Sequence, residues 1–385
     1  MNSYSSRASS LFSAGYRHRL CIPNLRKPQH VLFFYSTQSP VASAAAIASK
    51  FQELSKAIGP QKRTQILDAN QLQLFSITLN KNNVYSNSPA LSLPISELNG
   101  RTSLAPTKGT PVPPGYHLIY FTPAILEDQL GIDGTDASYN PDAPFTRRMW
   151  AGGEVVWPRG PDGKSLNLLR VGQEVTETTT FLSAEPKLIR KTGEEMIVVR
   201  LEKVFENEHG VALIDRRNWV FREALKMPSK EELAQRQGQY NASQISSTSK
   251  SPPPPPAPSS PTNQIHTRNL RQTDVTLFRF SALTYNSHKI HYSLPWARDV
   301  EGHKGLVVHG PLNLISILNF WRDVRAKEGV DPELIVPERI TYRATNPTYA
   351  EEEYQIVLED DKHGGVKANI YNPDGKVNMT GDIVG

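Results

Sequence analysis

The sequence predicts an α+β fold in which one arrangement is used twice along the chain, and three observations carry that prediction. Three alternating segments follow one another from about residue 174, and three more from about residue 338; such alternation suits antiparallel strands with one face on a core. A strongly apolar helix that opens at Gly310-Pro311 precedes the second series. Between the two series, Met227 to His266 is rich in proline, serine and glutamine and poor in large apolar residues. That stretch reads as a linker.

The first 50 residues hold six lysines or arginines and no acid. Without those six charges the net charge of +5 becomes −1, so the basicity belongs to the N-terminus and nucleic acid is not an expected partner. Serine- and arginine-rich, acid-free sequence is the composition of an organellar transit peptide, expected here over 1–40 and implying the mitochondrial matrix. The apolar run Val31 to Tyr35 is too short for a secretory signal. The one cysteine, Cys21, falls in the same segment, which leaves the remaining chain without disulfides, a cysteine nucleophile or cysteine-ligated zinc. No apolar run approaches the roughly 20 residues of a membrane span.

The first copy is expected over 41–226. Val41 to Ala57 is alanine-rich and helical in pattern, and Asp68 is placed to cap a second short helix that runs to Leu79. Residues 81–115 form a long irregular connection. Gly115 to Phe121 reads as a strand, and Pro123 to Leu130 as a short helical piece. Arg147 to Trp157 is less regular; its Gly152-Gly153 pair allows close backbone approach, and Arg147 and Arg148 could meet an anionic group. Gly160 to Ser165 ends in Gly-Lys-Ser, but Pro158 stands where a phosphate loop needs glycine, so it is a turn. Strands follow at Glu174 to Phe181, Glu195 to Phe205 and Ala212 to Phe221.

After the linker, expected over 227–266 and holding the proline run Pro252 to Pro256, the second copy occupies 267–385. It ends in segments Glu338 to Arg343 and Glu352 to Glu359, then a hairpin of Gly365 to Tyr371 and Lys376 to Val384 around Asn372-Pro373-Asp374-Gly375. In the apolar helix, Leu314, Ile315, Ile317, Leu318 and Trp321 recur at helical spacing, with Leu312 and Phe320 widening the stripe. A helix so apolar is covered on most sides. Its start therefore lies deep, where backbone N–H groups attract developing negative charge. Four of the chain's ten histidines, His288, His291, His303 and His309, come just before it. An imidazole base and a place for an oxyanion are thus expected together.

Leu283 to His291 (LTYNSHKIH), followed by Gly305 to Pro311 (GLVVHGP), resembles the signature of the MaoC-like hotdog-fold hydratases. The likeness is greater to their mitochondrial branch, the 3-hydroxyacyl-thioester dehydratases type 2, and it extends to Arg147 to Gly153 (RRMWAGG). The resemblance implies a double hotdog, two antiparallel sheets each wrapped around a central helix, with a degenerate first copy and the chemistry in the second. It also implies a (3R)-3-hydroxyacyl-thioester dehydratase of type II fatty-acid synthesis, giving trans-2-enoyl thioesters on acyl carrier protein. By the same match His291 is the base, and the Gly310 N–H donates to the thioester oxygen. His309, Arg147, Arg148, Trp150, Gly152 and Gly153 contact substrate. No cofactor and no metal are called for, and the assembly is a homodimer or a pseudo-dimeric monomer.

The match departs at Asn286, where the commoner motif has an aspartate five positions before the histidine. Asparagine cannot exchange protons, although its amide can orient a hydroxyl. Either His291 carries the proton both ways while Asn286 positions the leaving water, or His288 is the second proton-transfer group. The first is preferred, because residues three apart in an extended loop need not converge.

Other readings follow from the same residues. His303 and His309 suit hydrogen-bonded core positions. His288-x-x-His291 with His309 could bind zinc, but no carboxylate sits at metalloprotease spacing. The same chemistry on CoA would make a hydratase of a branched or dicarboxylic enoyl-CoA such as mesaconyl- or itaconyl-CoA, with Arg147 and Arg148 pairing a second carboxylate. Asn286 could instead mark a noncatalytic acyl-thioester-binding subunit.

Overall fold

The computed structural model describes residues 43–385 except 99, 101–102, 164, 191, 245–253, 255–257, 261–262, 327–329 and 362–363. The transit-peptide expectation, with Cys21, and most of the proline run lie outside the described residues.

Helix α1 (Ala44–Ile58) starts where Ser43 accepts a hydrogen bond from the Ala46 N–H, and it ends at Gly59 with φ 72°. Strand β1 (Gln61–Ile66) leads into helix α2 (Ala69–Thr78), whose first turn is capped by Asp68 accepting from the Gln71 N–H. After a long connection come β2 (Arg147–Val156), β3 (Glu174–Leu188), β4 (Glu195–Asn207) and β5 (Gly210–Arg222). Helix α3 (Lys230–Gln244) lies within the segment expected as linker, and β6 (Gln264–Arg271) begins before the expected linker ends. Helices α4 (Asp274–Leu283) and α5 (Gly310–Arg325) precede β7 (Arg339–Ala344), β8 (Glu353–Asp360), β9 (Gly365–Tyr371) and β10 (Val377–Val384).

The ten strands form one antiparallel sheet in the order β1-β3-β4-β5-β2-β7-β10-β9-β8-β6. From either outer edge to the centre, each half repeats the same connectivity: first strand, third, fourth, fifth, second. β2 and β7 join the halves, with Gly152 opposite Arg343 and Val156 opposite Arg339. The chain is therefore a double hotdog, and the internal duplication extends to the helices, since α2 and α4 follow the first strand of each half.

The halves differ at the central helix. In the second, α5 is buried from Leu312 to Arg322 and packs with Ile340, Ile356, Ile370 and Ile383 of the surrounding strands. In the first, the equivalent segment is reduced to a 3-10 turn, Tyr116–Ile119. This corrects the strand expected at Gly115 to Phe121. Gly115 has φ 87° and lies so near α5 that a Cβ would meet Leu318 Cδ1 at 3.0 Å; the chain turns there instead of extending. The face left uncovered in the first half is occupied partly by α1, whose Ala44, Ile47 and Ala48 pack on Ile197, Val199 and Leu201.

Candidate active site

The loop after α4 positions the histidines. The helix ends at Thr284, whose hydroxyl returns to the Phe280 carbonyl, and Tyr285 takes a left-handed φ of 51°. This reverses the chain, and the Asn286 N–H bonds the Ser281 carbonyl at 2.8 Å. A 3-10 turn at Lys289–His291 follows. The turn brings the His288 and His291 rings to 5.3 Å, edge to face. The two rings converge because this loop is coiled where it was expected to be extended.

His291 is 7% exposed, and its Nδ1 lies 2.7 Å from the Val307 carbonyl oxygen. A carbonyl only accepts, so Nδ1 carries the proton and Nε2 keeps its lone pair. Burial, and next the neighbouring His288, lower its pKa to about 3. The ring is a neutral imidazole with one basic nitrogen. His309 stacks on it at 3.5 Å and 19°. His309 Nε2 pairs with the Ser281 hydroxyl at 2.9 Å, and burial keeps this ring far below its ordinary titration range. Two rings stacked face to face do not aim their nitrogens at a common point, which disfavours a zinc centre shared by His291 and His309. His309 lies behind the His291 ring and, although expected to contact substrate, is not among the residues lining the cleft.

Gly310 opens α5, with His309 at the cap position and Pro311 next. The first N–H groups of a helix have no intrahelical acceptor, and the helix dipole adds positive character there. Gly310 and Pro311 line the same cleft as His291. Glycine is required by Trp150: a Cβ at 310 would come within 2.9 Å of its Cδ1. The Trp150 ring is stacked on Tyr342 at 6.0 Å.

Asn286 lines the cleft, and its Oδ1 accepts the His288 N–H at 3.1 Å. Its amide NH2 is left as the group able to donate to a hydroxyl. His288 is 8% exposed, with Nε2 at 3.6 Å from Glu301 Oε1 and 3.7 Å from Asp133 Oδ2. Neither carboxylate was singled out in the sequence.

The arginines divide. Arg147 binds Glu301 through Nε at 3.2 Å and a terminal nitrogen at 3.1 Å, so it is engaged within the protein. Arg148 lies flat on Trp219, 4.6 Å from its centroid, with Nη1 buried and unpartnered. Arg147 to Trp150 belong to a regular strand, correcting the irregular stretch expected, and the register shifts between Trp150 and Gly152. Gly152 and Gly153 do not reach the cleft: Cβ atoms there would meet the Tyr342 carbonyl at 2.4 Å and the Arg216 carbonyl at 2.1 Å. They serve the close approach of neighbouring strands, not the expected contact with substrate. His303, expected in the core, meets the Tyr349 hydroxyl at 3.3 Å and borders the cleft.

The cleft has a volume of 1770 Å³ and runs from His291 and Gly310 to the sheet of the first half. Pockets for compact ligands span roughly 300–1,000 Å³, so this one suits a long ligand. Its far part holds Lys203, which bonds Glu177 and Thr179 at 2.9 Å each. Burial, with Arg217 nearby, lowers the Lys203 pKa to about 8. The first half also docks on the loop that carries His288 and His291: the Lys289 N–H bonds the Asp133 carbonyl at 2.8 Å, and Ser287 Oγ bonds the Gly134 carbonyl at 2.7 Å.

The hydroxyacyl-thioester dehydratase type 2 family profile matches residues 115–350. The chain is 29% identical over 223 residues to a mesaconyl-C(4)-CoA hydratase from Chloroflexus aurantiacus, covering 57% of this chain and 67% of that protein. It is 25% identical over 274 residues to the mitochondrial hydroxyacyl-thioester dehydratase type 2 of Schizosaccharomyces pombe, covering 66% and 79%. The crystal structure of a MaoC-like dehydratase from Phytophthora capsici shares the fold, with a TM-score of 0.52 at 13% identity over 85% of this chain and 95% of that one.

Proposed function

The chain belongs to the hydroxyacyl-thioester dehydratase type 2 family, and from that premise we propose that it is a (3R)-3-hydroxyacyl-thioester dehydratase of mitochondrial type II fatty-acid synthesis. It removes water from acyl groups on acyl carrier protein to leave trans-2-enoyl thioesters. The second half, 267–385, carries the chemistry, and the first, 41–226, shapes the acyl side of the cleft. The observation that carries the reading is the neutral His291 ring, its Nδ1 held by Val307, in the cleft bordered by the start of α5. The acid-free N-terminus and the mitochondrial relative support the compartment.

In this reading the thioester carbonyl accepts from the Gly310 N–H. That acidifies C2, and His291 Nε2 takes the C2 proton. One such oxyanion donor contributes on the order of 3–4 kcal/mol to the barrier. The Asn286 NH2 donates to the C3 hydroxyl and fixes its direction of departure. Joining of the two half-sheets at β2 and β7 supplies in one chain what a pair of hotdogs supplies in two, so a pseudo-dimeric monomer suffices.

One observation favours a second reading, a hydratase of a dicarboxylic enoyl-CoA. An arginine nitrogen buried without a partner is costly, and a second carboxylate on the acyl group would satisfy Arg148. A substrate panel in the hydration direction separates the two. The dehydratase reading predicts efficient hydration of straight-chain enoyl thioesters such as crotonyl, seen as loss of the conjugated-thioester absorbance. A strong preference for mesaconyl-CoA, lost in Arg148→Gln, would replace it with the second.

A further inference from the structure

In the dehydratase reading His291 can return to the departing hydroxyl only the proton it has first taken from C2. Asn286 cannot supply one, and until that transfer the single N–H of neutral His291 is held by the Val307 carbonyl. Of the other imidazoles at the cleft, His288 and His303, His288 is the one whose ring lies 5.3 Å from that of His291, and its surroundings differ sharply from those of His291. Whereas His291 meets a carbonyl and a stacked ring, His288 turns its buried Nε2 toward two carboxylates, Glu301 at 3.6 Å and Asp133 at 3.7 Å. A carboxylate only accepts, so Nε2 is the nitrogen that holds an N–H toward them. The two acids come from different halves of the chain.

Both are themselves held. Glu301 closes the π-helical turn Trp296–Val300 and accepts from the Trp296 indole N–H at 2.9 Å and from Arg147. Burial would raise its pKa, but His288, Trp296 and Arg147 outweigh burial and hold it at about 2. The other oxygen of Asp133 accepts from the Thr135 N–H and hydroxyl at 3.0 and 2.7 Å, which fixes the carboxylate. The charged and titratable groups around His288 are therefore Asp133, Glu301 with Arg147 and His303 behind it, and His291. His288 lines the cleft, and Nδ1 is its nitrogen not directed at the acids.

We propose that His288 is the acid that protonates the departing hydroxyl, and that Glu301 and Asp133 are the positioning residues that hold it for that step. The inference rests on the dehydratase reading. His291 Nε2 takes the proton from C2, and the C–H electron pair becomes the C2–C3 double bond. The C3–O pair leaves with the hydroxyl, which takes the His288 Nδ1 proton and departs as water. The two rings thereby exchange protonation states, and one proton passing from His291 to His288 through solvent resets them. No oxidant, reductant or co-reactant is needed.

The test measures dehydration of (3R)-3-hydroxybutyryl-CoA by the full chain across pH, reading kcat and KM separately. His288→Gln lowers kcat at least about a hundredfold with little change in KM, the scale of a lost general acid. Asp133→Asn keeps its two Thr135 bonds through Oδ1, while Glu301→Gln gives up one of its two acceptor bonds, to Trp296 or to Arg147. Each lowers kcat roughly tenfold with little change in KM, because a ring held by one acid in place of two is less well placed to protonate the hydroxyl. Glu301→Asp restores kcat in part. Two variants in separate halves read the same step, so misfolding of one leaves the other as the test. An active wild type whose kcat is unchanged in both carboxylate variants, or a His288→Gln enzyme within about threefold of wild-type kcat, overturns the inference alone. A wild type inactive on every 3-hydroxyacyl and 2-enoyl thioester overturns the dehydratase reading and the inference with it.

Discussion

Replacing His291 by glutamine should make the protein less active and, in acid, relatively more stable. Folding holds the ring neutral down to about pH 3, against an ordinary value of 6.5, because burial and then His288 oppose its charge. The unfolded chain binds a proton below 6.5 that the folded chain refuses, so folded-state stability is full above that pH and falls as pH drops from 6.5 toward 3. At pH 5 the gap of 1.5 units below the ordinary value is worth about 2 kcal/mol, taking about 1.4 kcal/mol per unit. Glutamine does not titrate, and its amide can still donate to the Val307 carbonyl that His291 Nδ1 bonds at 2.7 Å. Urea unfolding at pH 7.5 and pH 5 measures the difference. Wild type should lose about 2 kcal/mol more than His291→Gln over that interval, while the variant loses at least about a hundredfold in turnover. Equal losses in the two proteins would show that the ring is not held neutral, and the assignment of Nε2 as base would fall with it.

Gly310→Ala places a Cβ 2.9 Å from Trp150 Cδ1 at the start of α5; kcat/KM on crotonyl-CoA should fall roughly tenfold or more as the ring or the helix start shifts. Gly134→Ala drives a Cβ to 2.2 Å from the Ser287 carbonyl at a φ of 80°, and chemical unfolding should report a loss of about 1–3 kcal/mol together with reduced activity. Asn286→Asp keeps an acceptor for the His288 N–H and exchanges the amide donor for a carboxyl group able to exchange protons, so steady-state kinetics should show activity retained or raised; a loss near that of His291→Gln would mean the amide donor is essential.

The second half was the more legible one. The run from Leu312 to Trp321 is apolar almost all round because α5 is enclosed by strands, and that pattern identifies a central helix without further help. The hairpin at Asn372 to Gly375 and the Asp68 cap were legible because local hydrogen bonds write them into the sequence. Strand β1 was not, since Gln61 to Ile66 forms an outer edge and buries almost nothing, leaving no apolar alternation to find. Strand β2 was obscured by the register shift near Gly152. Gly115 to Phe121 misled because a short apolar run does not distinguish a strand from a buried turn. At the site, motif and helix start pointed to His291, Asn286 and Gly310. Asp133 and Glu301 escaped because their meeting at His288 is made by tertiary contacts between the two halves, which sequence spacing does not encode.

The most direct measurement is the structure of the protein with a saturated, unreactive acyl thioester bound. The account predicts the thioester oxygen within about 3 Å of the Gly310 N–H and C2 within about 3.5 Å of His291 Nε2. A thioester bound with its carbonyl away from the start of α5, or with C2 out of reach of that nitrogen, would contradict it.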